Sequence, residues 1–423
     1  MSRRLIALAL VSFAALTACG RVSATHPAAA GYRIFLEEGF NGGSERIAVR
    51  DSSTGALERQ LPLGTPAPDW SRYYTVTSLA GSSRLTALDP ASGRTIVQIA
   101  IPTGFALPSL GYQGPTAGLS PDGQWLALTD NGRATTGKLV TSFLVGPSSL
   151  SSSFKTVHLD GDFSFDAVSN TGQSLYLIQR MGDPNHYQVR LLNVASGTLA
   201  EQPVVDKREA GEPMNGIRGD SVADSQGQYV FTVYAREAGP FIHALPLDQP
   251  FAWCIDLPAK SASNLEEQFH WSLAFNPAGP MLYAVNSSSG RIAAISAATL
   301  PSVGRTAQLA LNSTPGLFAG LVSEADAKGP KIGGAALSAD GRTLFALGNT
   351  GIVAIDTASL KIRLRILEGE SVDSLRLSTD GQWLYAAGAA TSKVWQVNPS
   401  TGAVSGEVAG TTNPWALLWA APK

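Results

Sequence analysis

One turn-and-strand unit recurs along the chain, and it constrains the fold more than any other feature. Ser120-Pro121-Asp122-Gly123 precedes QWLALT, Asn170-Thr171-Gly172 precedes QSLYLI, Ser225-Gln226-Gly227 precedes QYVFTV, and Asn276-Pro277-Ala278-Gly279 precedes PMLYAV. Ser338-Ala339-Asp340-Gly341 then leads into RTLFAL and Ser378-Thr379-Asp380-Gly381 into QWLYAAG, so the glycine slots fall at 123, 172, 227, 279, 341 and 381. A degenerate earlier copy, Ala67-Pro68-Asp69-Trp70, puts tryptophan in that slot. About midway between these turns lies a second signature, a strand ending in Asp or Asn and a small-residue turn: IAVRDSSTG (47–55), LTALDPASG (85–93), VRLLNVASG (189–197), VAIDTASL (353–360) and VWQVNPSTG (394–402). Asp and Asn close such turns on their own backbone, Pro presets φ, and Gly takes the positive φ of a tight hairpin. Two hairpin turns per repeat imply four short strands per repeat.

Strands such as WLYAAG are apolar on successive residues, the pattern of a sheet buried on both faces. Only 15% of residues are Asp, Glu, Lys or Arg, against 44% apolar, and the formal charge is −2. That composition argues against a disordered or nucleic-acid-binding chain and against amphipathic helices with charged wet faces. The expected class is all-β, with four-stranded units stacked face to face as the blades of a β-propeller. The S-P-D-G turn, the LYAAG-like strand and the strand ending in D-x-x-S/T-G resemble YVTN-type and WD-like bacterial propeller repeats over residues 31–423. No Gly-His and Trp-Asp pairs mark the blades as in WD repeats proper. The resemblance implies fold more than chemistry, because such repeats occur in lactonases, quinoprotein dehydrogenase subunits, surface-layer domains and binding scaffolds. Eight sets of strands can be counted; seven blades is the alternative if the weak N-terminal set packs outside the ring. The apolar segment 413–419 has no following strand and is expected to join the first set, closing the ring and removing both exposed edges.

The first residues read as an address. Arg3 and Arg4 precede an uncharged, mostly apolar run over 5–18 that ends Leu16-Thr17-Ala18-Cys19. Charge, apolar run and small-residue cleavage site form an export signal, and the run is short of the roughly 20 residues a spanning helix needs. Its ending resembles the bacterial lipoprotein signal, which implies cleavage after residue 18 and acylation of Cys19; an ordinary secretory signal is the alternative. The expected organisation is a signal peptide (1–18), a lipid-anchored tether (19–30) and one propeller domain (31–423), on the extracytoplasmic side of a bacterial membrane. With Cys19 acylated, Cys254 has no partner for a disulfide.

In a four-stranded blade the two tight signatures fall on one face, so long connections collect on the other: 102–115, 205–216, 258–270 and 312–331 between blades, 130–137 and 180–186 within them. Loops on a rigid scaffold commonly carry binding groups, which makes this the candidate functional face. Arg208, Asn215 and Arg218 precede one hub strand, Glu266, Glu267 and His270 the next, and His186 ends a within-blade loop. Arg218 could hold an anion, and His270 with Glu266 or Glu267 could move a proton; the plainer reading is a solvated charged loop. Asp160, Asp162 and Asp166 could offer oxygens to Ca²⁺, or simply form a turn. No other cofactor is evident: HExxH, Cys-x-x-Cys, Gly-x-Ser-x-Gly and P-loop patterns are missing from the sequence. Two classes remain, a lipid-anchored binding or assembly propeller with a protein, peptide or glycan partner, and a lactonase-like or dehydrogenase-subunit-like enzyme with its site at the channel mouth. Beyond the membrane, nothing indicates nucleic acid or a homo-oligomer. Acylation is tested directly: Cys19→Ser is expected to move the protein from the membrane fraction to the soluble one, and retention would contradict it.

Overall fold

A computed structural model describes residues 31–39, 45–110, 116–135, 138–182, 186–206, 214–259, 264–298, 300–311 and 334–423, with backbone alone for 131–135 and 138. The chain forms eight antiparallel blades in a ring. From hub to rim, blade one is Pro414–Pro422, Tyr32–Glu38, Arg46–Asp51 and Leu57–Leu61, and blade two is Thr65–Pro66, Tyr73–Leu79, Ser82–Leu88 and Thr95–Ile101. Blade three comprises Phe105–Ala106, Trp125–Thr135, Lys138–Pro147 and Lys155–Asp160; blade four comprises Phe163–Val168, Ser174–Arg180, His186–Asn193 and Thr198–Leu199. Ile217–Ala223, Tyr229–Ala235, Phe241–Pro246 and Phe251–Asp256 make blade five, and Trp271–Phe275, Met281–Asn286, Arg291–Ser296 and Ser302–Gln308 make blade six. Blade seven is Ala335–Leu337, Thr343–Leu347, Ile352–Asp356 and Lys361–Ile366; blade eight is Ser374–Leu377, Leu384–Gly388, Lys393–Val397 and Val404–Glu407. The seven-bladed alternative is thereby excluded, and the N-terminal set belongs to the ring.

The near-continuous apolar strands follow from how the blades stack. Alternate residues of one strand enter two different interfaces: Leu344 and Ala346 pack between blades six and seven, whereas Phe345 and Leu347 pack between seven and eight. In the first blade, Ile34 and Leu36 face blade eight while Phe35 faces blade two. Ring closure pairs Tyr32–Glu38 antiparallel with Pro414–Pro422, from Tyr32 opposite Pro422 to Glu38 opposite Pro414. Trp70, in its glycine slot, keeps the positive φ of the turn (55°), stacks on Trp419 of the closing strand at 5.1 Å and meets the Phe35 ring at a tilt at 4.8 Å.

The turn chemistry is built from side chains. Asp122 accepts from Ser120 Oγ (2.6 Å) and the Gln124 N–H, while the Trp125 N–H donates back to Ser120 Oγ. Blades seven and eight repeat this with Ser338 and Asp340, and with Ser378 and Asp380. In the second signature Asp51 accepts from the N–H groups of Ser53 and Thr54.

Three expected loops are corrected. Residues 102–104 make only a short turn, because the inner strand of blade three starts at Phe105. The excursion lies inside that strand instead, with Ser109 bridged to Thr116 before the strand resumes at Leu119 opposite Leu126. Residues 130–137 are largely not loop, since the hairpin strands continue to Thr135 and restart at Lys138. Residues 205–216 contribute strand: Val205–Asp206 adds parallel to Phe251–Asp256, and Met214–Asn215 adds to His186–Asn193. The segment 312–331 falls outside the described residues, as do Cys19 and the tether.

Neighbouring blades use their turns differently. A Cβ on Gly172 would lie 2.1 Å from the Trp125 ring of blade three, yet one on Gly381 would meet nothing within 4 Å. Thr343 of blade seven occupies the turn position that Trp125 holds in blade three, and with Gly381 it lines an open groove of about 540 Å³. Both glycines share nearly the same φ, +67° and +69°. Alanine at either position therefore carries the same backbone strain, about 1–2 kcal/mol, and Gly172→Ala adds an overpacking cost of about 1–3 kcal/mol. Denaturant unfolding is expected to find Gly172→Ala the more damaging by that margin; equal losses would contradict the packing of Trp125.

Candidate functional site

The inner strands of blades four and five carry irregularities that aim charge inward. In Phe163–Val168 the register slips between Phe165 and Ala167, leaving Asp166 as the extra residue. In Ile217–Ala223 it slips between Arg218 and Ser221, releasing Gly219 and Asp220 from the ladder. Such bulges re-aim side chains and recur beside functional sites.

The consequence for Arg218 is an ion pair: its Nη1 donates to Asp166 Oδ1, with the two side chains 11% and 3% exposed. Burial opposes the guanidinium charge, but Asp166 and Tyr234 outweigh it and raise the pKa. Around this pair lie Tyr187 and Tyr234, stacked at 5.7 Å, and His243 edge-on to Tyr234. Burial pushes both phenols up. His243 is packed within its strand; burial lowers its pKa to about 4, so it is neutral at pH 7, and its Nε2 has no hydrogen-bond partner.

Above the pair a cleft of about 260 Å³ is lined by His186, Asn215, Gly216, Ile217, Ala235, Arg236, Glu237 and Leu265. Asn215 faces His186 across a two-residue strand pairing, and its side-chain oxygen is buried without a partner. Gly216 has φ +127°, and a Cβ there would sit 2.9 Å from the Ala235 carbonyl. Arg236 lies 4.3 Å over the Phe241 ring and donates from Nη2 to Asp256. Its backbone is clamped by Gln268, which accepts from the Arg236 N–H (2.8 Å) and donates to its carbonyl (3.0 Å). Gln268 ends a one-turn helix, Leu265–Gln268, capped by Asn264.

The site residues expected from sequence thus separate into groups. Arg218, Asn215 and His186 are brought together at the boundary of blades four and five, although Arg218 already has Asp166 as counter-ion. Glu266 and Glu267 stand on the first turn of the short helix, and His270 is buried just after it. The His270 N–H donates to the Glu267 carbonyl at 3.2 Å. Arg208 lies outside the described residues. Of the acids considered for Ca²⁺, Asp162 pairs with Arg180 at 3.5 Å and Asp166 with Arg218, while Asp160 ends a rim strand. Among the described residues no group of three or more His, Cys, Asp or Glu side chains converges.

Sequence reasoning missed Asp220 and Arg376. Asp220 accepts from the Ser221 N–H (2.9 Å) and from the Leu273 N–H of blade six (2.8 Å), a clamp between inner strands. Burial raises its pKa to about 6 despite those bonds and despite Arg376 and Arg218 nearby. The larger groove on the short-turn face is less informative: its Asp340 and Asp380 are tied into their own turns, and no buried unpartnered polar atom lines it.

No family model matches the chain, and no curated protein matches it. Among solved structures, it resembles dihydro-heme d1 dehydrogenase NirN (16% identity, 92% of this chain and 75% of that one, TM-score 0.51). It is also similar to the periplasmic gluconolactonase PpgL of Pseudomonas aeruginosa (18%, 93% and 100%, TM-score 0.43) and AztD of Citrobacter koseri (11%, 92% and 97%, TM-score 0.46). At such identities the likeness is one of fold. The strand topology defines the class as an eight-bladed β-propeller.

The raised Asp220 pKa has a stability consequence. The folded form holds its proton up to about pH 6, whereas the unfolded carboxyl releases it near 3.8. Its favourable contribution is therefore complete below pH 4 and is lost as pH rises through 6, by up to about 3 kcal/mol. Asp220→Asn is expected to flatten the stability profile between pH 4 and 7 relative to wild type; an unchanged slope would contradict the assignment.

Proposed function

We propose that the chain is an exported protein, anchored by lipid at Cys19, that binds a protein, peptide or glycan through the long-connection face of its propeller. The lipid anchor and the YVTN-type kinship rest on the sequence features Leu16-Thr17-Ala18-Cys19 and the recurring S-P-D-G turn. The observation that carries the binding reading is the cleft shared by blades four and five and the helix leading into blade six. It combines exposed Ile217 and half-buried Leu265 with polar groups of both signs, and it holds a buried amide oxygen on Asn215 with nothing to accept from. Apolar walls with a few placed polar groups are the general form of a recognition site.

The enzyme alternative, lactonase-like or dehydrogenase-subunit-like, draws less support from the same residues. Its anion-holding Arg218 is matched by Asp166, and its acid–base group, His270 with Glu266 or Glu267, is tied by backbone. A photo-crosslinking residue at position 237, tested on intact cells, is expected to capture a partner, and Ile217→Asp is expected to abolish the adduct. Capture from position 400 on the opposite face and not from 237 would overturn this reading.

A further inference from the structure

Blades five and eight stand three places apart in the ring, so their inner strands meet only across the axis. Arg376 lies on the inner strand Ser374–Leu377 of blade eight, and it and Asp220 of blade five act on each other electrostatically. The two do not form an ion pair. Asp220 has committed both oxygens to backbone N–H groups, of Ser221 and Leu273. Arg376 has a buried Nε without a hydrogen-bond partner, and no ion pair reaches its guanidinium among the described residues. The other hub arginine differs, since Arg218 has Asp166 beside it.

Arg376 is partly buried, and its buried Nε lacks a partner, so the groups around it decide what would satisfy it. Those facing the Asp220 and Arg376 pair are Arg218 on the strand of Asp220 and, through Arg218, Asp166 of blade four with Tyr234 and Tyr187. Asp166 is already neutralised, the phenols are uncharged, and Asp220 is held by backbone donors. Among the described residues, Arg376 is left in the hub without a contact partner of opposite charge, presented as a planar donor fork that matches the two oxygens of a carboxylate or sulfate-like group.

We infer that the hub channel is a binding site for a small oxyanion, held by Arg376 and regulated by Asp220 on the opposite side. Asp220 sets the affinity electrostatically: ionised, it competes for the field of Arg376; protonated, it leaves that field to the ligand. The burial that raises its pKa to about 6 places this change between pH 5 and 7.5. The site is separate from the cleft at His186 and Asn215, and neither reading depends on the other.

Sulfate and formate serve as probes because their charge is constant over this range. Titration calorimetry on the whole chain, in a buffer without competing oxyanions, is expected to show saturable one-to-one binding, roughly tenfold tighter at pH 5 than at 7.5. Arg376→Gln is expected to weaken binding at least tenfold, Asp220→Asn to give tight binding at both pH values, and Asn215→Ala to change nothing. Should Arg376→Gln fail to fold by circular dichroism, the loss of pH dependence in Asp220→Asn carries the test alone. No saturable binding to the folded wild type, binding that survives Arg376→Gln, or a pH dependence that survives Asp220→Asn would each overturn the site, whatever position 237 captures.

Discussion

The pairing of the last strand with the first holds every other part of this molecule in place. Each blade buries both faces, so each depends on two neighbours, and an open ring would leave two apolar sheet faces in water. Closure covers Ile34, Leu36, Leu417 and Ala420 against Tyr385 and Val394 of blade eight on one side, and Phe35 against Trp70 and Tyr73 on the other. At about 1.5–3 kcal/mol for each large side chain fully buried, that seam rivals the net stability of a typical domain. Polar contacts fix its register: the Lys423 ammonium reaches Asp51 and Glu58, the Thr379 N–H donates to the Ala420 carbonyl (2.9 Å), and Leu417 donates to Ser374 Oγ (3.0 Å). Trp70 shows the seam overriding local preference, because a tryptophan in the left-handed region is strained and its stacking on Trp419 offsets the strain.

A closed ring tolerates irregular inner strands, and the charge in this hub depends on that tolerance. The bulges at Asp166 and at Gly219 and Asp220 cost ladder hydrogen bonds, yet the strands outside them keep their register through the rest of each blade. Asp166 thereby meets Arg218 across a blade boundary, and Asp220 meets the Leu273 amide across the next. Blade packing, inner-strand clamping and hub electrostatics are linked. The acids that stitch neighbouring blades together also set the charge a ligand in the channel would encounter.

Most of the architecture was legible because its turns are chemically specific. Ser, Asp and Gly at fixed spacing name a turn, and the apolar run after each names a strand, so the second strands of all eight blades and the closing strand could be placed from the sequence, the first of them without a turn before it. Insertions were harder. Residues 102–115 read as one connection because nothing in Pro108 or Gly111 says that a strand has begun at Phe105 and will resume at Leu119. The chemistry was legible only in part. Arg218, Asn215 and His186 were found through their place before hub strands or at a loop end. Asp166 looked like a turn acid beside Asp160 and Asp162, and Asp220 and Arg376 sat unremarked in IRGDS and SLRL. Their roles come from two bulges and from an electrostatic influence between the inner strands of blades five and eight, neither of which strand periodicity encodes. The one available signal was an acid or a guanidinium within an inner strand of a chain this poor in charge.

The central claim is that the ring is one cooperative unit closed by its terminal strand, and native-state hydrogen exchange tests it most directly. If closure carries the structure, the amides of Ile34, Leu36 and Leu417 exchange only through the global opening that also exposes Phe231 and Val233 of blade five, with the same free energy and denaturant dependence. Exchange of the closing strand orders of magnitude faster, while blade five stays protected, would show that the ring stands without its seam and would contradict the account.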